Sequence, residues 1–239
     1  MMTQTQSTNN WKKVQYIHRK MGFGISLKEA KRQAKFPPEK IIDNILLRSK
    51  RQGAIAAPKW ADWQMKKYLK LGGDELNIKL IERHLSDYAK DVVPQMKERG
   101  FKERMTLFWS NHFVTEFWTY EFPPLLYEYH TFLQKNGLRN FKDMTYKIGL
   151  NTAMLLYLNN GENTKEHPNE NYARELLELF TLGRDNNYTQ KDITEIARAF
   201  TGYFVEDSGE VVFKKELHDF GEKTIFGKTG NWKYKDVIE

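Results

Sequence analysis

Apolar residues recur at helical spacing along most of the chain. Trp11, Val14 and Ile17 fall three apart, which predicts a helix over 11–20 that ends at the Gly22 turn. Ser26 with Glu29 three residues on is a capping box that opens a second helix, each side chain taking the other's free backbone N–H. Pro37-Pro38 stops that helix and starts a third through Leu47. A helix is expected over 58–71, up to a break at Gly72-Gly73. A long one follows from Asp74 through Ile78, Ile81, Leu85 and Tyr88, with Pro94 as a kink or a stop. Phe101 to Trp118 is the most aromatic stretch and reads as helix.

Pro123-Pro124 leads a helix to Gln134, and shorter helices are expected over 140–148 and 152–158, followed by a polar loop over 159–169. From Asn169 to Leu182, a helix carries Tyr172, Ala173, Leu176, Leu177, Leu179 and Phe180 on one face and ends at Gly183. Thr189 caps the next helix with Asp192 at its third position, and Ile193, Ile196, Ala197 and Phe200 form its apolar stripe up to Gly202. These two helices are expected to pack as a pair. The periodicity then shortens: Tyr203-Phe204-Val205 and Val211-Val212-Phe213 flank a five-residue loop, the pattern of a β-hairpin. Residues 218–230 read as irregular, and Val237-Ile238 as the start of another helix. The fold class expected is mostly α, a multi-helix orthogonal bundle with a small β-hairpin near the C-terminus. It forms one helical domain over 11–239 after a flexible N-terminus at 1–10.

Composition narrows the picture. With 40% hydrophobic and 29% charged residues over 239 positions, the chain can bury a core and reads as a soluble globular protein. It has no cysteine, which excludes disulfides, thiolate metal sites and a Cys nucleophile. No stretch approaches the ~20 apolar residues of a membrane span. The N-terminus lacks the apolar core of a secretory signal, so the sequence as written reads as cytoplasmic. The net charge of +7 is richest near the N-terminus, but the basic runs are interrupted by apolar residues at helical spacing, as on solvated helix faces. A nucleic-acid partner is therefore placed last.

Four motifs stand out: His18-Arg19-Lys20-Met21-Gly22-Phe23-Gly24, Phe108-Trp109-Ser110-Asn111-His112-Phe113, the block Pro168 to Gly183 with its continuation through Ala197-Arg198-Ala199-Phe200-Thr201-Gly202, and His218-Asp219-Phe220-Gly221-Glu222-Lys223-Thr224. In this order they resemble the bacterial family named domain of unknown function 1800. That resemblance brings no activity with it. It implies that members continue past the last motif into a second helical half, so this chain reads as an N-terminal portion whose partner would be that half or another protein. It also implies that many members are exported.

The polar residues of these motifs are the candidates for chemistry. His112, beside Asn111, has Glu116 one turn on, the spacing for two metal ligands or for a carboxylate that orients a base; the structural alternative is a hydrogen bond to backbone or to Asn111. Asn169, Glu170 and Asn171 precede an apolar helix and so read first as caps, with Glu170 and Arg174 an i, i+4 pair. Glu175 and Glu178 would pair with Arg198 of the next helix if buried. His218-Asp219 in a glycine-containing loop has the groups for acid–base chemistry or a metal. Phosphate-loop, dinucleotide and serine-hydrolase signatures are missing. Two readings stay open. One is an enzyme with catalytic His112, Glu170, Glu175, His218 and Asp219, binding residues Asn111, Asn169, Asn171, Arg174 and Arg198, and a divalent metal on His112, His218 and Asp219. The other is a non-catalytic helical protein-interaction module in which the same residues are caps and ion pairs.

Overall fold

The computed structural model describes residues 10–69 and 74–239. Of the flexible N-terminus expected at 1–10, residues 1–9 lie outside them, as does the break at Gly72-Gly73, and Asn10 is helical rather than part of a tail. The described chain is mostly helical, as expected, with a small antiparallel hairpin near the C-terminus and a second one after it. Helices α1 (Asn10–Lys20), α2 (Leu27–Gln33), α3 (Pro38–Arg51), α4 (Met65–Leu69) and α5 (Asp74–Arg99) come first. They are followed by α6 (Phe101–His112), α7 (Phe117–Tyr120), α8 (Pro123–Asn136), α9 (Phe141–Ile148) and α10 (Thr152–Tyr157). Helices α11 (Asn171–Glu175) and α12 (Gln190–Ala199) precede strands β1 (Tyr203–Val205), β2 (Val211–Phe213), β3 (Lys223–Ile225) and β4 (Lys228–Gly230), and α13 (Tyr234–Ile238) ends the series. No helix of the described residues is long and apolar enough to cross a membrane. The chain divides into two compact units: the described part of Met1–Ala56 with Leu85–Trp109 and Thr131–Leu138, and Ala57–His84 with Ser110–His130 and Arg139–Glu239.

In unit 1, Ser26 Oγ accepts the Glu29 N–H at 3.2 Å, so α2 starts where Ser26 predicts, but the reciprocal half of the expected box does not form, because the Glu29 carboxylate turns to Arg32 and Gln33. Val14, Ala30 and Ile41 form a small core under α1, α2 and α3, with Trp11, Ile17 and Ile45 packed around it. Helix α3 runs past the expected Leu47 end to Arg51. Helix α5 continues through Pro94, which removes one backbone donor from a helix of 26 residues and leaves the neighbouring turns to hold it. The extended segment after α3 has its backbone groups paired by side chains. Arg99 Nη2 donates to Gly53 O at 2.6 Å, Lys102 Nζ to Gln52 O at 2.6 Å, and Ile55 N to Gln134 Oε1 at 3.0 Å. Buried Glu103 joins these clamps, accepting from Arg99 Nε at 2.6 Å and Gln134 Nε2 at 2.8 Å.

Unit 2 departs from the expected pattern in four places. Among the described residues of the helix expected over 58–71, only α4 is helical; before it, Ala61 N bonds Pro58 O and Trp63 N bonds Trp60 O in successive turns. Those turns let His84 stack on Trp60 with ring centres 5.2 Å apart, meet Trp63 edge-on, and bond the Tyr68 hydroxyl at 3.0 Å. Aromatic packing overrides helical spacing there. Helix α6 ends at His112, and the Phe113 carbonyl just past it is taken by the Tyr129 hydroxyl rather than by a further helical turn. Glu116 therefore lies at the start of α7 and shares no helix face with His112.

The third departure follows α11, which continues as a π-helix over Leu176–Thr181. Closing bonds from i to i+5 widens the turn, so Phe180 follows Leu176 onto the buried side and Leu179, expected inside, is 58% exposed. The fourth is the 218–230 stretch, expected to be irregular, where β3 and β4 pair with Ile225 opposite Lys228. Its two-residue turn places Phe226 at φ 49° and Gly227 at φ 74°. Phe is an unusual residue for a left-handed position, and these strands have only three residues each, so no turn or alternation signal marked them.

Other elements match. Asn140 caps α9 through the Asp143 N–H at 3.1 Å, and β1 pairs β2 with Phe204 opposite Val212. Gly149, just past α9, lies against the hydroxyls of Tyr172 and Tyr234. A Cβ at Gly149 would stand 2.0 Å from the first and 2.2 Å from the second, so glycine alone permits this packing. Tyr234 in turn donates to Tyr146 O at 2.6 Å, which ties α13 to the end of α9.

Candidate functional site

All but Asn111 and His112 of the candidate residues lie on or beside the α11–α12 pair, and their geometry starts from the loop between α10 and α11. Asn163, buried, donates from Nδ2 to Asn160 Oδ1 at 3.0 Å and to Ala197 O at 2.9 Å, while its Oδ1 accepts the Asn169 N–H at 2.9 Å. Asn169 Oδ1 accepts the Asn171 N–H at 2.9 Å, the capping role expected of it, and Asn171 Nδ2 reaches Leu158 O at 3.3 Å. The asparagines thus replace a backbone ladder in a loop that lacks one. Asn160 and Asn163 were not singled out from sequence; a polar loop gives no sign that two of its amides are inside.

Glu170 is the centre of the next network. Its Oε1 accepts from Thr194 Oγ1 at 2.6 Å, and its Oε2 accepts from Gln190 Nε2 at 2.7 Å and Arg174 Nη2 at 2.9 Å. The Thr194 bond, with help from Gln190 and Arg174, holds its carboxyl below the ordinary range. Arg174 also reaches Glu178 at 3.4 Å. Glu175 is half-buried; burial and the neighbouring Glu178 push its carboxyl up. The expected pairing of Arg198 with Glu175 or Glu178 is not what forms. Arg198 lies one helix on and faces the last motif instead.

That motif folds around Arg198. Its Nε donates to Asp219 Oδ2 at 2.7 Å, and its Nη1 to Glu195 Oε2 at 2.8 Å and Glu222 O at 3.2 Å. Asp219 Oδ1 also accepts the Gly221 N–H at 2.7 Å; burial would raise this carboxyl, but Arg198 and the amide hold it low. Lys223, fully buried, donates to the carbonyls of Asp219 at 2.5 Å and Gly221 at 2.8 Å. His218 Nδ1 donates to Thr201 O at 2.8 Å, which fixes the tautomer and leaves Nε2 as a buried lone pair with no hydrogen-bond partner. Burial lowers the His218 pKa, and Lys223 and Lys233 add to the effect.

His112 belongs to a different cluster. Its Nε2 donates to Phe180 O at 2.9 Å, and its ring meets Phe113 edge-on at 4.7 Å, with Phe141 and Phe180 about it. It thus accepts the backbone role offered by the structural alternative, although the partner is Phe180 rather than Asn111, which is exposed. The carbonyl it takes lies at the C-terminal end of the π-helix, where carbonyls have no partner within the helix, and Thr181 Oγ1 adds a bond to the Leu176 carbonyl at 2.5 Å. The same segment borders an open apolar groove of about 290 Å³ in unit 2 lined by Phe141, Leu176, Leu177, Leu182, Phe226 and Ile238, among others, with Lys142 beside them. Asp192 was not a sequence candidate beyond its cap, yet its Oδ1 accepts the Phe226 N–H at 2.6 Å and so holds the strained turn at the groove.

The four sequence motifs therefore sit in these networks and in the α1–α2 turn. A family model described as a protein of unknown function, DUF1800, matches residues 16–239. The chain belongs to the DUF1800 family. No curated protein and no solved structure matches it. In this DUF1800 chain the structure joins His218, Asp219 and Arg198 around one loop, and Glu170 with Arg174 around another. His112 is placed with Phe180. Among the described residues, no group of three or more His, Cys, Asp or Glu is placed to hold a metal ion. Of the three residues expected as ligands, Asp219 is engaged by Arg198 and His112 Nε2 by Phe180, while His218 Nε2 has its lone pair available.

Proposed function

We propose that this DUF1800 chain is a non-catalytic protein-interaction module whose docking surface is the apolar groove of unit 2, and that its occupant is an amphipathic helix of a partner protein. The observation that carries this reading is the groove itself, bordered by large apolar side chains left in solvent. Phe141 is 40% exposed, Leu182 42% and Phe226 45%. A pocket for a small molecule would bury such residues around a few converging polar groups; here the apolar surface spreads beyond the groove, as a helix-binding face does. The threonines that line it are turned to backbone carbonyls, Thr145 to Phe141 O at 3.0 Å and Thr181 to Leu176 O at 2.5 Å, so they hold the groove's walls rather than reach into it. Lys142 at the rim, exposed and with its ammonium bonded, among the described residues, only to the Glu239 carbonyl oxygen at 3.1 Å, favours an acidic residue flanking the partner's apolar anchors. Panning a random peptide library against the purified chain tests this. Selected peptides should carry large apolar residues at i, i+3 or i+4 spacing, and Leu182→Glu should weaken them at least tenfold with the circular dichroism unchanged. Selected peptides indifferent to Leu182→Glu and Phe226→Glu would overturn the reading.

A second reading, an enzyme-like site with a divalent metal, is favoured by one observation, the buried lone pair of His218 Nε2. Elemental analysis of untagged protein tests it. A stoichiometric divalent metal that is lost in His218→Ala supports it; metal-free protein removes it.

A further inference from the structure

The charge of the chain is segregated between its units. Unit 1 carries 18 Lys and Arg against 7 Asp and Glu, and unit 2 carries 20 against 24. The excess lies mainly in residues 10–56, where twelve basic residues meet three acidic ones. Along the sequence these cations look dispersed, but α1 packs on both α2 and α3, so one small helical unit gathers them. The inward stripe of α1 is Trp11, Val14 and Ile17, which turns Lys12, Lys13, Arg19 and Lys20 outward, all exposed. On α2 and just after it, Lys28, Lys31 and Lys35 are exposed as well. Of the three acids, Glu29 is engaged by Arg32 at 2.6 Å and by Gln33 at 2.6 Å.

Aromatic rings stand among these cations in solvent. Tyr16 is 57% exposed and has Lys20 Nζ 5.6 Å from its ring centre; Phe36 is 36% exposed between Lys35 and Lys40; Phe23 is 38% exposed beside Arg104. Cations for a backbone of phosphates, interleaved with exposed rings for unstacked bases, are the two parts of a single-strand binding surface. A bilayer surface would instead favour a contiguous apolar wedge, whereas the outward stripe of α1 is polar but for Tyr16.

We propose that α1 and α2 of unit 1, with Phe36, bind single-stranded nucleic acid through its phosphodiester backbone and bases. This surface is independent of the groove in unit 2. Fluorescence anisotropy with a labelled oligothymidylate and the full chain tests it. Binding is expected at low salt, with log K falling linearly against log salt at a slope of about −3 if roughly four phosphates are contacted. The triple variant Lys12→Glu, Lys13→Glu, Lys20→Glu should weaken binding at least tenfold and flatten the slope. Tyr16→Ala with Phe36→Ala should weaken it about tenfold at an unchanged slope. Lys228→Glu with Lys235→Glu, in unit 2, serves as the control and should change little. If the triple variant loses its circular dichroism, Lys28→Glu with Lys31→Glu and Lys35→Glu gives the same reading. No binding at low salt, binding unaffected by both sets, or binding to phosphatidylserine vesicles but not to the oligonucleotide would each overturn the proposal.

Discussion

Helix α12 and the α11–π segment lie next to each other in sequence, both amphipathic, yet they are held by different means. Helix α12 closes itself. Asp192 N donates to Thr189 Oγ1 at 3.2 Å, Thr189 N donates to Asp192 Oδ2 at 2.7 Å, and the apolar stripe keeps strict helical period. The α11–π segment is capped locally at its start, where Asn169 takes its first free N–H, but its far end is held from outside: His112, far away in sequence, takes the carbonyl of Phe180. A helix whose ends are satisfied locally can be read from its own residues. One satisfied by distant partners is free to adopt a register that its residues alone do not specify.

The largest test of that contrast is a pair of truncations. Phe180→Ala should cost about 3–5 kcal/mol in urea unfolding, and Leu179→Ala should stay within about 0.5 kcal/mol. Comparable losses at both positions would mean that the segment is an ordinary α-helix with Leu179 inside. Next comes Asp192→Ala, which removes a cap and the bond to Phe226 together; a loss of about 3 kcal/mol is expected. Thr189→Ala, which removes only the cap, should cost about 1 kcal/mol, and equal losses would refute the tie between α12 and the β3–β4 turn. His112→Ala leaves a π-helix carbonyl without its donor and should cost about 1–3 kcal/mol, with His112→Gln recovering part of it.

The smallest effect is a pH dependence. Burial holds the His218 pKa in the folded chain below its ordinary 6.5, with Lys223 and Lys233 acting in the same sense and Asp219 against. Above 6.5 the stabilisation of the neutral ring is complete. As pH falls from there toward the lowered folded value, the unfolded chain binds more protons and stability declines. Asp192 and Asp219, both held below the ordinary 3.8, lose their contributions only in stronger acid. A His218→Asn variant should lack the decline just below 6.5, and an unchanged profile would refute the assignment.

The same contrast accounts for what could be read in advance. The Ser26 cap, the Thr189–Asp192 box and the β1–β2 hairpin depend on residues within a few positions of one another, and all are found. The π register, the end of α6 and the turns around Trp60 and Trp63 involve the distant residues His112, Tyr129 and His84, and the local pattern does not mark them. The site divides similarly. The Glu170–Arg174 pair is one helical turn apart and forms as expected. Arg198 meets Asp219 rather than Glu175, a choice made by the loop that brings 218–223 back over α12, and nothing within α12 records it.

Lys223 adds a chemical consequence. Its ammonium group sits inside the 218–223 loop with the backbone wrapped about it, as a loop wraps a bound ion, except that this ion is tethered to the chain and cannot be extracted by a chelator. Buried this way, it is shielded from amine-acylating reagents that mark the lysines of the surface within minutes. The time at which Lys223 becomes labelled would then be a clock for the opening of that loop, carried by the protein without any added probe.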